Sequence, residues 1–156
     1  MKKNMYITCA FAVLLDQLTK FLAVKYITNV TIIPNLLSFI YTENKGAAFS
    51  ILYNKHVILI VSSIILLIAL IYIYKKDYSS NKYNNLYNIM YGMAFGGIIG
   101  NLLDRIIRGY VVDFISLKFV SYYFPIFNLA DMFITISVFL IILHTFKDNS
   151  KLTKKR

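Results

Sequence analysis

Residues 96–131 read GGIIGNLLDRIIRGYVVDFISLKFVSYYFPIFNLAD, and this stretch decides the fold. It contains the end of one apolar segment, a region without a long apolar run, and the beginning of the next apolar segment. Three of the chain's seven acidic residues lie in it: Asp104, Asp113 and Asp131. Carboxylates inside or beside apolar segments are costly unless they face one another or water. The stretch therefore predicts a polar site at the end of an apolar bundle.

Composition indicates a membrane protein. The 156 residues are enough for one domain, and a hydrophobic content of 58% with a mean hydropathy of +0.62 is typical of integral membrane proteins. The net charge of +10 does not favour nucleic-acid binding, because the basic residues cluster at the ends of apolar runs. We expect Cys9, the single cysteine, to be buried apolar filler.

Four apolar segments are long enough to cross a bilayer as helices. The first begins like a signal peptide, but Asp16, Gln17 and Lys20 interrupt it, no small-residue cleavage site follows, and apolar residues resume. We therefore expect a retained first span. The predicted spans of a single domain over residues 1–156 are 5–27, 57–74, 86–107 and 127–146.

Two segments between the spans are polar and aromatic. In the first loop, residues 37–42 have strand character, 44–46 form a turn signal, and 47–52 return as a second strand. This pattern predicts a small β-hairpin on the membrane. Residues 110–126 are too short and too broken to span, and we expect them to lie in the interface. Their predicted anchors are Tyr122, Tyr123 and Phe124.

The distribution of basic residues predicts the orientation. Four spans put both termini on one side, and the segments on that side hold ten of the seventeen basic residues. Six others lie in or near the opposite segments, and Lys20 lies within the membrane. The positive-inside rule assigns both termini to the cytoplasm.

With this orientation, the polar residues of the spans fall into one leaflet, next to the outer surface. A pocket open to that surface would satisfy all of them, since each would face the others or water. The converging residues are Asp16, Lys20, Asn101, Asp104, Arg105, Asp113, Asn128 and Asp131.

Several of these residues also have a purely structural interpretation. Asp16 and Lys20 have the i, i+4 spacing of an ion pair. Asn128 and Asp131 have the spacing of a helix N-cap and its N3 acid. Capping of the fourth span accounts for Asp131. It does not account for Asp113, a second carboxylate at the same depth, because Asp113 follows a different span.

The third span carries two further patterns. Gly96 and Gly100 form a small-xxx-small pair, which predicts close helix packing. One helix face carries Asn101, Asp104 and Arg105. The sequence leaves open whether their side chains hydrogen-bond within the protein or contact a substrate.

Five blocks of this sequence resemble the lipoprotein signal peptidase family (signal peptidase II), which are four-span aspartic proteases of the bacterial membrane. The blocks follow the order of the family and cover nearly the whole chain. They are DQLTK at 16–20, NKGAAF at 44–49, GNLLDR at 100–105, VDF at 112–114 and FNLAD at 127–131.

The resemblance implies an all-α membrane protein of four transmembrane helices, with a small extracytoplasmic β-cradle and an interfacial, flap-like helix after Asp113. It implies Asp113 and Asp131 as the catalytic pair, and neither metal nor cofactor. The implied binding residues are Asn44, Gly46, Asn101, Arg105, Asn128 and Ala130, with Asp16 and Lys20 as support.

The implied substrate is a prolipoprotein with a diacylglyceryl-modified cysteine, cut just before that cysteine. Two close carboxylates share a proton, so that one activates water and the other protonates the substrate. The expected partners are this substrate and membrane lipid, with a monomer as the default. The alternative is a small ion- or drug-coupled transporter, since membrane carboxylates often mark proton relays. A transporter would carry charge near the midplane, whereas here charge lies in one leaflet.

Overall fold

The structure, a computed structural model, describes residues 2–46, 52–79 and 85–153. Four long helices dominate the described part, and a small sheet lies beside them. The helices are α1 (Lys2–Tyr26), α2 (His56–Ser79), α3 (Asn85–Arg108) and α4 (Leu129–Thr153). The strands are β1 (Asn29–Ile33), β2 (Leu37–Asn44), β3 (Val111–Phe119) and β4 (Tyr122–Tyr123).

Each of the four helices contains a segment long and apolar enough to cross a membrane. These segments are Lys3–Tyr26, His56–Lys76, Asn85–Arg108 and Leu129–Phe146. Most apolar side chains of α2 are exposed, as expected for a helix that faces lipid rather than protein. The four apolar helices predicted from the sequence are confirmed, whereas the exact limits of the bilayer stay a prediction.

Helix α3 is the central element, and it packs against α1, α2 and α4. Its glycines permit this close approach. A Cβ added to Gly96 would lie 2.5 Å from Ala12 Cβ, and one added to Gly100 would lie 2.5 Å from Asp16 Oδ2. Gly97 meets the backbone of α4 in the same way. The packing role predicted for the small-residue pair is confirmed.

The sheet is antiparallel, with strand order β1-β2-β3-β4. The β1–β2 turn contains Asn35 with a φ of 61°, a conformation that asparagine tolerates. Gly109, with a φ of +82°, ends α3 and turns the chain into β3. The register pairs Thr42 of β2 with Asp113 of β3. This pairing brings the first loop next to the segment that follows α3.

The sheet confirms β structure in the first loop, but its strands pair differently from the prediction. Strand β2 continues through Asn44, and the turn predicted at 44–46 lies at its end, where the Gly46 backbone N–H donates to Asn44 Oδ1. Strand β1 pairs with residues 37–40 of β2, and β3 pairs with β2 from Leu37 to Asn44, so β2 has a second partner that a simple hairpin would lack. Of the predicted returning strand, 47–51 lies outside the described residues, and Leu52 lies in a turn.

The flap-like helix predicted after Asp113 is wrong, since this segment is strand β3. β3 is rich in β-branched and aromatic residues, and β2 supplies its backbone hydrogen bonds. Val112 and Phe114 pack with Ala23 of α1 in a small core that joins the sheet to the helices. A strand anchored in this way holds Asp113 rigidly.

Candidate active site

Two aspartates, Asp113 and Asp131, line one cavity of about 460 Å³, and Glu43, which pairs with Lys45, lies at the same cavity. Asp113 is the third residue of β3 and is only 2% exposed, and Asp131 lies in the first turn of α4, where it is partly exposed. Asn44, Asn101 and Arg105 line the same cavity. The fold therefore brings together residues from β2, α3, β3 and α4.

Asn128 connects the two carboxylates. Its side-chain oxygen accepts a hydrogen bond from the Asp131 backbone N–H at 3.0 Å, and Asp131 Oδ2 accepts one from the Asn128 backbone N–H at 3.3 Å. This reciprocal pair is a capping box, so the structural interpretation of these two residues is correct. The Asn128 side-chain Nδ2 also donates to Asp113 Oδ1 at 2.6 Å. Capping α4 and binding Asp113 are thus done by the same side chain.

Two further amides bind the carboxylates. Asn44 Nδ2 donates to Asp113 Oδ2 at 2.9 Å, and Asn101 Nδ2 donates to Asp131 Oδ1 at 2.8 Å. Asn44 can reach Asp113 because it lies two residues beyond Thr42, the cross-strand partner of Asp113, on the same face of the sheet. The Gly46 backbone N–H donates to Asn44 Oδ1 at 2.9 Å and so fixes the direction of that amide.

The pKa of Asp113 lies well above the ordinary value of an aspartate. Burial, and after it the negative charge of Asp131, raise this pKa to about 7. Hydrogen bonds from Asn44 and Asn128 act in the opposite direction but do not cancel the rise. Asp113 is therefore suited to carry a proton near neutral pH.

A buried ionic cluster lies directly behind the cavity. The ammonium group of Lys20 is 2.9 Å from Asp16 Oδ2, 3.1 Å from Asp104 Oδ2 and 2.8 Å from Asn101 Oδ1. The side chains of Lys20, Asp16 and Asp104 are fully buried. The i, i+4 ion pair expected between Asp16 and Lys20 is present, as one part of this larger cluster.

The cluster also holds the backbone beside each cavity carboxylate. Asp16 Oδ1 accepts a hydrogen bond from the Ala130 backbone N–H, and Asp104 Oδ2 accepts one from the Val112 backbone N–H, both at 3.0 Å. Ala130 precedes Asp131, and Val112 precedes Asp113. Ala130 therefore contributes its backbone to the site.

Two residues of the cluster, Gln17 and Arg108, were not among the site residues predicted from the sequence. Gln17 donates to Asp104 Oδ1 at 3.1 Å and to the Gly100 carbonyl at 3.1 Å. Arg108 forms an ion pair with Asp104. The i, i+4 spacing of Asp104 and Arg108 was a usable signal for this pair.

Arg105 has hydrogen-bonding capacity to spare at the cavity. Its Nη1 donates to the Asn101 carbonyl at 3.4 Å. Its Nε is buried, and within the part of the chain that the structure describes no group accepts its proton. Arg105 lines the cavity, where a guanidinium group is suited to bind a carbonyl or carboxylate oxygen.

Comparison with known proteins finds relatives that match along most of the chain. The family model described as Signal peptidase (SPase) II matches residues 8–147. Proteins named lipoprotein signal peptidase from Staphylococcus aureus strains JH9 and Newman are each 39% identical over 148 residues, which cover 93% of this chain and 89% of each relative.

Two solved structures of bacterial membrane enzymes, determined by the in meso method, are similar in fold. The first, at 2.3 Å resolution, has a TM-score of 0.82 at 36% identity and covers 94% of this chain and 90% of its own. The second, at 1.9 Å resolution, has a TM-score of 0.78 at 36% identity and covers 92% and 93%.

These matches support a peptidase and give no support to the transporter alternative. With the four apolar helices, they indicate a multi-pass protein of a bacterial membrane. Because the family model and the relatives each cover most of its length, the chain belongs to the signal peptidase II family.

Proposed function

We propose that this chain cleaves signal peptides from prolipoproteins by aspartic-peptidase chemistry, with Asp113 and Asp131 as the catalytic pair. The observation that carries the proposal is that these two carboxylates line one cavity, with the charge of Asp131 helping to raise the pKa of Asp113. The printed name of the relatives supports the substrate class. The bond cut is the one before the diacylglyceryl-modified cysteine.

In this mechanism the pair carries one proton, held on Asp113, and Asp131 is ionised. A water molecule attacks the scissile carbonyl carbon while Asp131 takes one of its protons, and Asp113 protonates the carbonyl oxygen. The resulting gem-diol collapses as Asp131 returns its proton to the leaving nitrogen and the C–N bond breaks. Asp113 then recovers its proton from the hydroxyl group, so the pair ends with the one proton it started with.

The neighbouring side chains have distinct roles in this scheme. Asn44 and Asn128 hold Asp113, Asn101 holds Asp131, and the hydrogen-bond distances of 2.6–2.9 Å support these roles. Arg105 lines the same cavity, and its guanidinium group binds a backbone carbonyl of the substrate. No cofactor or metal enters any step.

The proposal includes an orientation and an assembly state. Both termini lie in the cytoplasm, so the cavity opens near the extracytoplasmic face, and the bias of basic residues supports this topology. The sheet forms a cradle over the outer leaflet, where the lipid chains of the substrate stay in the bilayer while its peptide reaches the cavity. The protein acts as a monomer in contact with membrane lipid.

The test is a cleavage assay with purified protein and a diacylglyceryl-modified prolipoprotein. Asp113→Asn and Asp131→Asn should each lower kcat by about 10²–10⁴-fold, because each removes one proton-transfer group. The unmodified prolipoprotein serves as the substrate control and should not be cut. Full activity in either variant, in a protein that unfolds at the wild-type temperature, would remove the pair from the mechanism.

A further inference from the structure

We infer that Lys20 is a positioning residue for the catalytic pair, because it decides which end of the Asn101 side-chain amide faces Asp131. An ammonium group can only donate hydrogen bonds, and that of Lys20 lies 2.8 Å from Asn101 Oδ1. The amide oxygen is thereby held on the Lys20 side. The NH₂ group of the same amide must point the opposite way, where it donates to Asp131 Oδ1 at 2.8 Å. This inference rests on the proposed function.

Lys20 leaves the amide no alternative orientation. Its side chain is fully buried, and its three N–H donors meet three acceptors, on Asp16, Asp104 and Asn101. A flipped Asn101 amide would set donor against donor at Lys20 and acceptor against acceptor at Asp131. Water cannot relieve a mismatch at a buried ammonium, so the flipped state is strongly disfavoured.

A second amide contacts Asn101 and binds the other carboxylate. Asn101 Oδ1 also accepts a hydrogen bond from Asn128 Nδ2 at 3.3 Å, and that same nitrogen donates to Asp113 at 2.6 Å. Asn128 is fixed independently, because its oxygen accepts from the Asp131 backbone N–H, which can only donate. Both amides thus present NH₂ groups to the carboxylates. Lys20, which is charged and makes the shorter contact, holds the direction of Asn101, and the Asp131 backbone N–H holds that of Asn128.

Neighbouring charges largely neutralise Lys20, so its electrostatic effect inside the cavity is small. Asp16 and Asp104 both contact it, and Arg108 pairs with the second of these carboxylates. The charge of Lys20 lowers the pKa of Asp113, but burial and the charge of Asp131 outweigh it. Its effect on the catalytic pair therefore runs mainly through the hydrogen bond to Asn101.

A double-mutant cycle tests this route. Lys20→Met keeps the side-chain volume but removes the donor, and Asn101→Leu removes the amide. Each alone should lower kcat/KM at least about tenfold, since each removes a hydrogen bond to a charged group. The double variant should lose no more than Asn101→Leu alone, because both changes break the same chain of contacts. Losses that multiply would overturn the inference, and so would wild-type activity in Lys20→Met.

The pH–rate profile supplies a readout that a packing role would not move. Without a donor facing the ionised carboxylate, the pair holds its second proton more tightly. The acidic limb of kcat/KM in Lys20→Met should therefore shift upward by about one pH unit. An unshifted acidic limb, with lower activity, would reduce Lys20 to a packing residue.

Two comparisons keep the test decisive. Lys20→Met leaves Asp16 and Asp104 with one cation fewer, so a variant that fails to fold is replaced by Lys20→Met in an Asp16→Asn background. This pair keeps the cluster neutral, and Asp16→Asn alone is its reference. If Asp113→Asn and Asp131→Asn are inactive while the cycle losses multiply, only the role of Lys20 is refuted. If those aspartate variants are active, the proposed function itself fails.

Discussion

The side-chain amide of Asn128 donates to Asp113 Oδ1 over 2.6 Å, so the residue that caps α4 also holds a carboxylate on β3. The two tasks can be separated by mutation, since serine is a good N-cap but is too short to replace the amide contact. We expect Asn128→Ser to unfold close to the wild-type temperature while its kcat falls about 10–100-fold, the loss typical of a hydrogen bond to a charged group.

Asn128→Ala is the matched comparison, because it removes the cap as well. It should lose a further 0.5–2 kcal/mol or so of stability relative to serine. Thermal unfolding in detergent and the cleavage rate measure the two effects. Wild-type cleavage by Asn128→Ser would show that the contact to Asp113 has no part in the reaction.

The raised pKa of Asp113 predicts how activity depends on pH. A carboxyl group with a pKa of about 7 keeps its proton up to near-neutral pH, whereas an ordinary aspartate loses it near pH 3.9. The mechanism needs that proton, so activity should fall as pH rises through about 7. At low pH the second carboxylate is protonated as well, and the profile of kcat/KM should be bell-shaped.

The contribution of Asp131 to this pKa can be measured directly. Removing its negative charge with Asp131→Asn should lower the pKa of Asp113, because one of the two causes of the rise is gone. Infrared titration of protein with ¹³C-labelled aspartate, with Asp113→Asn as the assignment control, gives the midpoint. A midpoint that stays at the wild-type value or rises would mean that the two carboxylates do not interact.

The glycines of α3 predict a second kind of loss. Gly100→Ala places a methyl group 2.5 Å from Asp16 Oδ2, and Asp16 also binds the backbone next to Asp131. Gly96→Ala places its methyl group equally close to Ala12, further from the cavity. Both should destabilise the protein by about 1–3 kcal/mol through overpacking.

Only Gly100→Ala should also lower kcat, by more than its loss of stability explains. The comparison is made on folded protein, with cleavage assayed well below each unfolding temperature. Equal kcat values for the two variants would contradict a link from Asp16 to the catalytic pair.

The proposed topology has a simple labelling test. In a Cys9→Ser background, Val120→Cys lies in the turn between β3 and β4 at a position that is 91% exposed, and Lys76→Cys lies near the end of α2. A maleimide that cannot cross membranes should label position 120 in right-side-out vesicles, and position 76 only after permeabilisation. Labelling of position 76 in intact vesicles would reverse the orientation.

Much of the helical architecture was predictable, because apolar length and glycine spacing are local signals. The four apolar segments and the packing role of Gly96 and Gly100 follow from such signals. The convergence of Asp113 and Asp131 also followed, since charge inside an apolar bundle has few places to lie.

What the sequence did not predict depends on contacts between distant segments. The strand after Gly109 is fixed by pairing with β2, some seventy residues earlier, and no local pattern specifies that partner. The flap-like helix was implied by the family resemblance, and interface anchors such as Tyr122 do not decide between a helix and a strand, because aromatic residues suit both. The contact of Lys20 with Asn101 joins two helices through a rotamer and an amide direction, which spacing along one helix cannot reveal.

Asp131 accepts hydrogen bonds from both Asn101 and the Asn128 backbone, so one carboxyl group serves the architecture of α4 as well as the cavity. Resistance to an inhibitor that binds this carboxyl group should therefore rarely arise by substitution of Asp131. A replacement at that position that weakened the inhibitor would also weaken the N-terminal cap of α4 and, in the proposed mechanism, remove a proton-transfer group.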